Sequence, residues 1–350
     1  AAQCLPAEVD AQGWPSQYDG VMLQGFYWNS YGDSQWSYLE QQSDELSKYF
    51  SLIWVPQSGN CNTTYNVMGY MPVYYYDHNS SFGSESQLRS MISTFRDKGT
   101  GIIADVVINH RNNLGAGGSW VDFPEETYNG ETFHMLPTDI CANDDNGQTR
   151  AWADKQGISI SANNDTGEGW DGCRDIDHKS ANVNRCIKSY LDFLLHDLGY
   201  EGFRYDMVKG YSASYTGDYN SSSKPRFSVG EYWDGTQAIQ NWIKGTSVDG
   251  VPTSAAFDFQ FRYRVRDAIN QNDWSKLNST DMVLNAQDYR RYAVTFVENH
   301  DMEKRSATEV QDPILRDTLA ANAYLLMMPG TPCVFYKHWQ AYKPEIKSMI

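Results

Sequence analysis

The ten residues Gly101-Ile-Ile-Ala-Asp105-Val-Val-Ile108-Asn109-His110 decide the fold. A β-branched run of this kind, ended abruptly by an amide and an imidazole, reads as a strand with a polar rim at its carboxyl end. Before it, residues 88–98 have helical spacing closed by Gly99, and residues 52–55 form a shorter apolar run stopped by Pro56. Further out, residues 36–50 read as a helix and residues 21–28 as a first strand, which completes a βαβ pattern. In the other direction periodicity dissolves from residue 111 to about 179 into Gly, Asn, Asp and Thr, too long for an ordinary loop. Helical spacing resumes over residues 183–198, closed by Gly199. Strands follow at 202–205, 227–230, 255–259, 293–297 and 333–336, separated by helical stretches at 236–244, 261–270 and 314–328. Eight strands with helices between them specify the α/β class and a (β/α)₈ barrel, interrupted after strand three. The expected domains are a barrel from residues 1–110 and 180–350 and an insertion at 111–179. A doubly wound open sheet is disfavoured, because Gly25-Phe-Tyr-Trp28 stands where its Gly-rich phosphate turn belongs.

Charge and hydropathy remove whole classes of function. The 350 residues carry 28 Lys and Arg against 44 Asp and Glu, a net charge of −16, so a nucleic-acid partner is not expected. No apolar stretch approaches the roughly 20 residues needed to cross a bilayer. Six cysteines, none in paired CxxC spacing, speak against a zinc site and mildly for an oxidising compartment. The first residues, Ala-Ala-Gln-Cys4, show no charged and apolar leader; the expectation is a secreted, extracellular or periplasmic protein whose signal peptide has been removed. A monomer is expected.

Barrel enzymes place their chemistry at the carboxyl ends of the strands. Strand three ends in Asp105-Val-Val-Ile-Asn109-His110, strand four in Gly-Phe-Arg204-Tyr-Asp206, strand five in Val-Gly-Glu231-Tyr-Trp233 and strand seven in Phe-Val-Glu298-Asn-His300-Asp301. Any one of these alone reads more readily as a helix cap or a structural histidine. Four of them, each separated by whole βα units, converge on one rim. Cleaving an acetal requires a proton on the leaving oxygen and negative charge beside an oxocarbenium-like carbon, which two carboxyls about 5 Å apart supply in a retaining glycosidase. Asp206 and Glu231, on adjacent strands, suit that spacing. Arg204 projects to the same side as Asp206 and favours its ionised form, while a less polar setting beside Tyr232 and Trp233 would keep Glu231 protonated.

These strand ends, together with Gln24-Gly-Phe, Gly69-Tyr70-Met-Pro72, Asp175-Ile-Asp-His178, Lys209-Gly210-Tyr211, Phe257-Asp258-Phe259 and Pro329-Gly-Thr-Pro-Cys-Val-Phe-Tyr336, resemble the α-amylase family of glycoside hydrolases. The likeness runs along essentially the whole chain and points to the plant-type and related bacterial members. It implies Asp206 as nucleophile, Glu231 as general acid/base and Asp301 as the carboxylate that grips the sugar in the transition state. It further implies His110 and His300 as sugar-binding histidines, Tyr70 as an aromatic platform, and Lys209 and Trp233 on the leaving-group side, with Arg204 beside the nucleophile. The implied reaction is endo-hydrolysis of α-1,4-glucosidic bonds in starch, glycogen and maltooligosaccharides with retention. Transglycosylation and exo-acting α-glucosidase activity are the alternatives within the family. A non-catalytic glucan-binding protein is disfavoured because all three carboxylates are present.

The same resemblance implies a Ca²⁺ site with Asn109, Asp165 and Asp175 as side-chain ligands and Glu168 and Gly210 as backbone carbonyl donors, chemistry that suits a hard cation. Gly169 stands where plant-type members place a carboxylate for a further calcium, so one site is expected. Cys141 and Cys173, both in the insertion, are candidates for a bridge beside it. Family members continue past the eighth strand into a last barrel helix and an antiparallel β-domain, and residue 350 falls within what reads as that helix.

Overall fold

A computed structural model describes residues 20–115 and 119–350. Cys4 lies outside the described residues. Eight parallel strands close into a barrel: β1 Met22–Gln24, β2 Leu52–Trp54, β3 Gly101–Val106, β4 Gly202–Tyr205, β5 Phe227–Gly230, β6 Ala255–Phe257, β7 Ala293–Thr295 and β8 Thr331–Phe335. Neighbours in sequence are neighbours in space, and β1 pairs with β8 through Met22 opposite Cys333 to complete the ring. Apart from Gly101 at the start of β3, every strand residue is buried, as a parallel sheet covered by helices requires.

The ladder is shorter than the apolar runs that announce it. β1 ends at Gln24, and the aromatics after it pack into the rim: Phe26 meets Trp54 edge to face at 5.0 Å. The helix expected over 36–50 is two pieces, Trp36–Gln41 and Ser43–Leu46, broken at Gln42. The helix before β4 runs Ala181–Asp192 and loosens into a π-helical turn at Phe193–Leu198 before Gly199, at φ 95°, ends it. The stretch expected as a helix over 314–328 is helical only at Thr318–Met327. The chain also forms a helix at Ala213–Ser223 that periodicity does not reveal, because its buried positions include Thr216, Gly217, Asn220 and Ser223. Asn220 makes that polar face fit: its amide donates to Ser228 Oγ of β5 and accepts from the Tyr205 hydroxyl of β4.

Between β3 and the helix Ala181–Asp192 the chain builds small local structure. His110–Arg111 pairs antiparallel with Arg174–Asp175, Glu125–Tyr128 with Glu131–His134, and Gln148–Lys155 is helical. The thiols of Cys61, Cys141, Cys173, Cys186 and Cys333 are free. The candidate Cys141–Cys173 bridge is therefore absent; the Cys141 thiol instead donates to Asp165 Oδ1 at 3.2 Å.

Close approach of β4 to β5 depends on one glycine. A methyl group at Gly202 would lie 2.0 Å from the Phe227 carbonyl oxygen, on a backbone that cannot move without opening the barrel. The expected outcome for Gly202→Ala is a loss of about 3 kcal/mol or more, as overpacking against backbone produces, read as a lower urea midpoint at an unchanged m-value.

Candidate active site

Strand register sets the geometry of the rim. Asp105 pairs with Arg204 across β3 and β4, Tyr205 pairs with Gly230 across β4 and β5, and Glu231 is the first residue past β5. Side chains alternate along a strand, so Arg204 and Asp206 leave β4 on the same side. The Arg204 guanidinium, 1% exposed, then reaches three carboxylates. Its Nη1 donates to Asp105 Oδ1 at 3.0 Å and to Asp206 Oδ1 at 2.8 Å, and its Nη2 donates to Glu231 Oε2 at 3.0 Å. Cζ lies 4.8 Å from the centroid of the Trp54 ring, a placement suited to a flat, weakly hydrated cation. Glu231 Oε1 accepts from the Met207 backbone N–H at 2.9 Å. That contact needs an unusual backbone, since Met207 sits in the left-handed region at φ 41°, a conformation that costs a non-glycine residue about 1–3 kcal/mol.

Asp206, Glu231 and Asp301 line one cleft of about 590 Å³. Tyr70, His110, Lys209, Trp233 and His300 also line it, whereas Arg204 lies beneath the floor and acts through the carboxylates. Trp28, Trp170 and Met207 line the cleft too, beyond the residues expected from the strand-end motifs. Trp28 follows the first strand directly, so position relative to β1 was the available signal; nothing local marks Trp170. Asp301 approaches His300 Nε2 at 3.5 Å and Arg305 Nη2 at 3.7 Å.

Hydrogen bonds fix the histidines as neutral rings. Gln24 Nε2 donates to His300 Nδ1 at 3.0 Å, so Nε2 carries the proton and donates to the Tyr70 hydroxyl at 2.8 Å, which in turn donates to Asp105 Oδ2 at 2.9 Å. Burial, with the Arg204 charge adding, holds His300 well below the usual imidazole range. His110 donates from Nε2 to the Tyr70 carbonyl at 2.8 Å, accepts at Nδ1 from the Asn109 amide at 3.1 Å, and is pushed down to about 4 by burial. Both rings thus brace Tyr70, and both nitrogens of each ring already have protein partners. Tyr70 lies parallel to Trp28, the ring centroids 6.2 Å apart.

Electrostatics separate the carboxyls. Burial pushes Glu231 up to about 8, the charges of Asp206 and Asp301 push the same way, and Arg204 opposes them. Burial also raises Asp206, but there Arg204 acts twice, as a nearby charge and as a direct hydrogen bond. Glu231 is the group placed to hold a proton near neutrality. On the far rim Lys209 Nζ donates to the Trp233 carbonyl at 3.1 Å and pairs with Glu168 at 3.4 Å and Asp234 at 3.3 Å. Trp233, 41% exposed, stacks on Phe259 and donates from Nε1 to the Tyr263 hydroxyl at 2.8 Å.

Beside the cleft, buried oxygens gather without partners. Asn109 Oδ1, Asp165 Oδ2 and Asp175 Oδ1 make no hydrogen bond. Asn109 Oδ1 sits where a side chain on Gly210 would fall, 1.8 Å from that position, and the Asp165 and Asp175 carboxyls both face Gly169. Among the described residues no group of three or more His, Cys, Asp or Glu is arranged to hold a metal. The unpartnered oxygens here belong instead to two carboxylates and an amide, donors that fit a hard cation.

Known proteins are similar to this chain in sequence and in architecture. Residues 51–342 match the family model described as "Alpha amylase, catalytic domain". A probable alpha-amylase 2 of Arabidopsis thaliana is 29% identical over 94% of the chain and 78% of its own length. The chloroplastic alpha-amylase 3 of the same plant is 29% identical over 99% of the chain, which spans only 39% of that protein. The crystal structure of a gamma-CGTase from alkalophilic Bacillus clarkii superposes on 92% of the chain and 51% of its own with a TM-score of 0.64 at 18% identity, a likeness of fold.

Removing the Arg204 cation strands three buried carboxylates. Arg204→Ala is expected to cost about 3–5 kcal/mol, with Arg204→Lys intermediate because it keeps the charge and loses the fork; chemical denaturation of the three proteins side by side checks the order.

Proposed function

The chain belongs to the α-amylase family of glycoside hydrolases, and we propose that its cleft cuts internal α-1,4-glucosidic bonds of starch, glycogen and maltooligosaccharides with retention of configuration. The single observation that carries this reading is the Arg204 fork, which presents Asp206 and Glu231 together at one cleft containing Asp301. Asp206 attacks the anomeric carbon while the Glu231 carboxyl gives its proton to the departing glycosidic oxygen. The covalent glycosyl-Asp206 ester then yields to a water whose proton returns to Glu231, so the acid is regenerated and the product keeps the α configuration. Asp301 binds the hydroxyls of the distorted sugar, with Tyr70 beneath the ring and His110 and His300 at its edge. Lys209 and Trp233 receive the leaving chain. Monomeric action outside the cell, where an insoluble polymer is met, belongs to the same proposal.

Calcium completes the proposed site. Asn109, Asp165 and Asp175 would hold it through side-chain oxygens and Glu168 and Gly210 through backbone carbonyls, and the bound cation would neutralise the paired carboxyls and tie the insertion to the ends of β3 and β4. Support comes from the three unpartnered buried oxygens. Chelation by EDTA is expected to lower the melting temperature by several degrees and added Ca²⁺ to restore it; an unchanged melting curve would remove the metal from the account.

The chemistry predicts its own pH profile. Activity requires Glu231 protonated and Asp206 ionised, so kcat/KM rises as Asp206 loses its proton and falls as pH passes about 8, where Glu231 loses its own. Glu231→Gln is expected to lower kcat by about 10²–10⁴ and to abolish the alkaline limb. Digestion of soluble starch, followed by anomer-resolved NMR, should give mixed oligosaccharides released first as α anomers; a β anomer appearing first would overturn retention.

A further inference from the structure

A second cavity of about 560 Å³ lies on the other side of the loop that carries Tyr70. Gly69 lines this cavity while Tyr70, its neighbour, lines the catalytic cleft, and Gln57 Nε2 fixes the shared wall by donating to the Gly69 carbonyl at 2.9 Å. Its volume falls in the range of small-molecule sites. Its chemistry differs from that of the cleft, because among the described residues no Asp, Glu, Lys, Arg or His lines it. A charged ligand therefore finds no counter-charge in its walls.

Hydroxyls occupy that place. Ser80, Ser81 and Ser84 each accept a backbone N–H, from Phe82 at 3.2 Å, Val67 at 3.0 Å and Gln87 at 3.2 Å. Each oxygen is thereby held in position with its own proton left to donate. On the rim the Thr64 hydroxyl, the Tyr65 phenol and the Asn66 amide make no hydrogen bond within the described residues. Tyr65, 67% exposed, is more exposed than Trp233 of the cleft. Its backbone carbonyl accepts from the Thr63 hydroxyl at 2.8 Å, which shapes the loop that holds the ring out. Pinned hydroxyl donors, a free amide and a projecting aromatic face, with no charge, match a neutral polyhydroxylated ring that has apolar faces and hydrogen-bonding edges.

We infer that this cavity is a second saccharide site that binds a segment of α-glucan beside the catalytic cleft and raises affinity for polymer over short substrates. The inference rests on the glucan reading of the cleft. A chain held at both places dissociates more slowly than one held at either, so the effect falls on KM for long substrates.

The test uses the full chain with its cleft saturated by an acarbose-type inhibitor and maltoheptaose as the probe in titration calorimetry. Binding of one further maltoheptaose is expected, weakened about tenfold in Tyr65→Ala and in Asn66→Ala, the loss of a stacking or hydrogen-bond contact. In kinetics, Tyr65→Ala should raise KM for soluble starch several-fold and leave kcat/KM for a chromogenic maltotrioside unchanged, and Tyr65→Phe should restore most of the starch affinity. No binding to the inhibited enzyme, or equal binding by wild type and both variants, overturns the second site. Failure of wild type to hydrolyse starch would instead strike the catalytic reading, and the binding measurement would still decide the cavity.

Discussion

A buried guanidinium bonded to three carboxylates is the interaction on which the site depends. Arg204 is nearly solvent-free, and a cation so placed is tolerated only when charge and hydrogen bonds replace the water it has lost. The arrangement constrains both partners. Asp105 and Asp206 are drawn to the same nitrogen while Glu231 takes the other, so the fork sets the separation of the two carboxyls proposed to act on the substrate. Trp54 supplies the floor for the fork and donates from Nε1 to Asp105 at 3.1 Å, which places the first layer of the barrel core in direct contact with the charge cluster. Packing and catalysis meet at these few residues, and neither can be altered independently.

Much of this arrangement could be read from the chain, because parallel barrel strands are apolar runs ended by polar residues and their order in space follows their order in sequence. Asp105, Arg204, Asp206 and Glu231 were identifiable by position at strand ends. What could not be read has a physical pattern. Apolar runs report burial rather than ladder pairing, so β1 was expected to reach residue 28 although only Met22–Gln24 pairs. The helix Ala213–Ser223 hides because its inward face is polar, with Asn220 paired to side chains of β4 and β5. Tyr70, the partner that His110 and His300 share, lies 40 and 230 positions away from them, contacts that no local pattern encodes.

The insertion has a polar framework of its own that reaches the cleft. Asp144, fully buried, accepts from Arg174 at 2.7 Å and from the Asp175 backbone at 2.8 Å, fixing the strand that presents Asp175 beside Asp165. Arg174 in turn stacks under Trp120, with 4.8 Å from Cζ to the ring centroid. Trp170 links this framework to the cleft: its backbone N–H donates to Asp175 at 3.2 Å and its ring packs 4.1 Å from His110. One rigid path therefore runs from the oxygen cluster to the imidazole at the cleft wall.

Pairing of Met22 with Cys333 also bears on how the molecule comes into being on the ribosome. The first and last staves of the ring are separated in the chain by the six strands between them, so the emerging polypeptide must keep an unsatisfied sheet edge until β8 has been translated. Half-made chains thus carry acidic groups from β4 and β5 with no enclosed ring to hold them in place. Competence arrives late and all at once, and the interval before it is when the nascent protein is most exposed to misassembly with its neighbours.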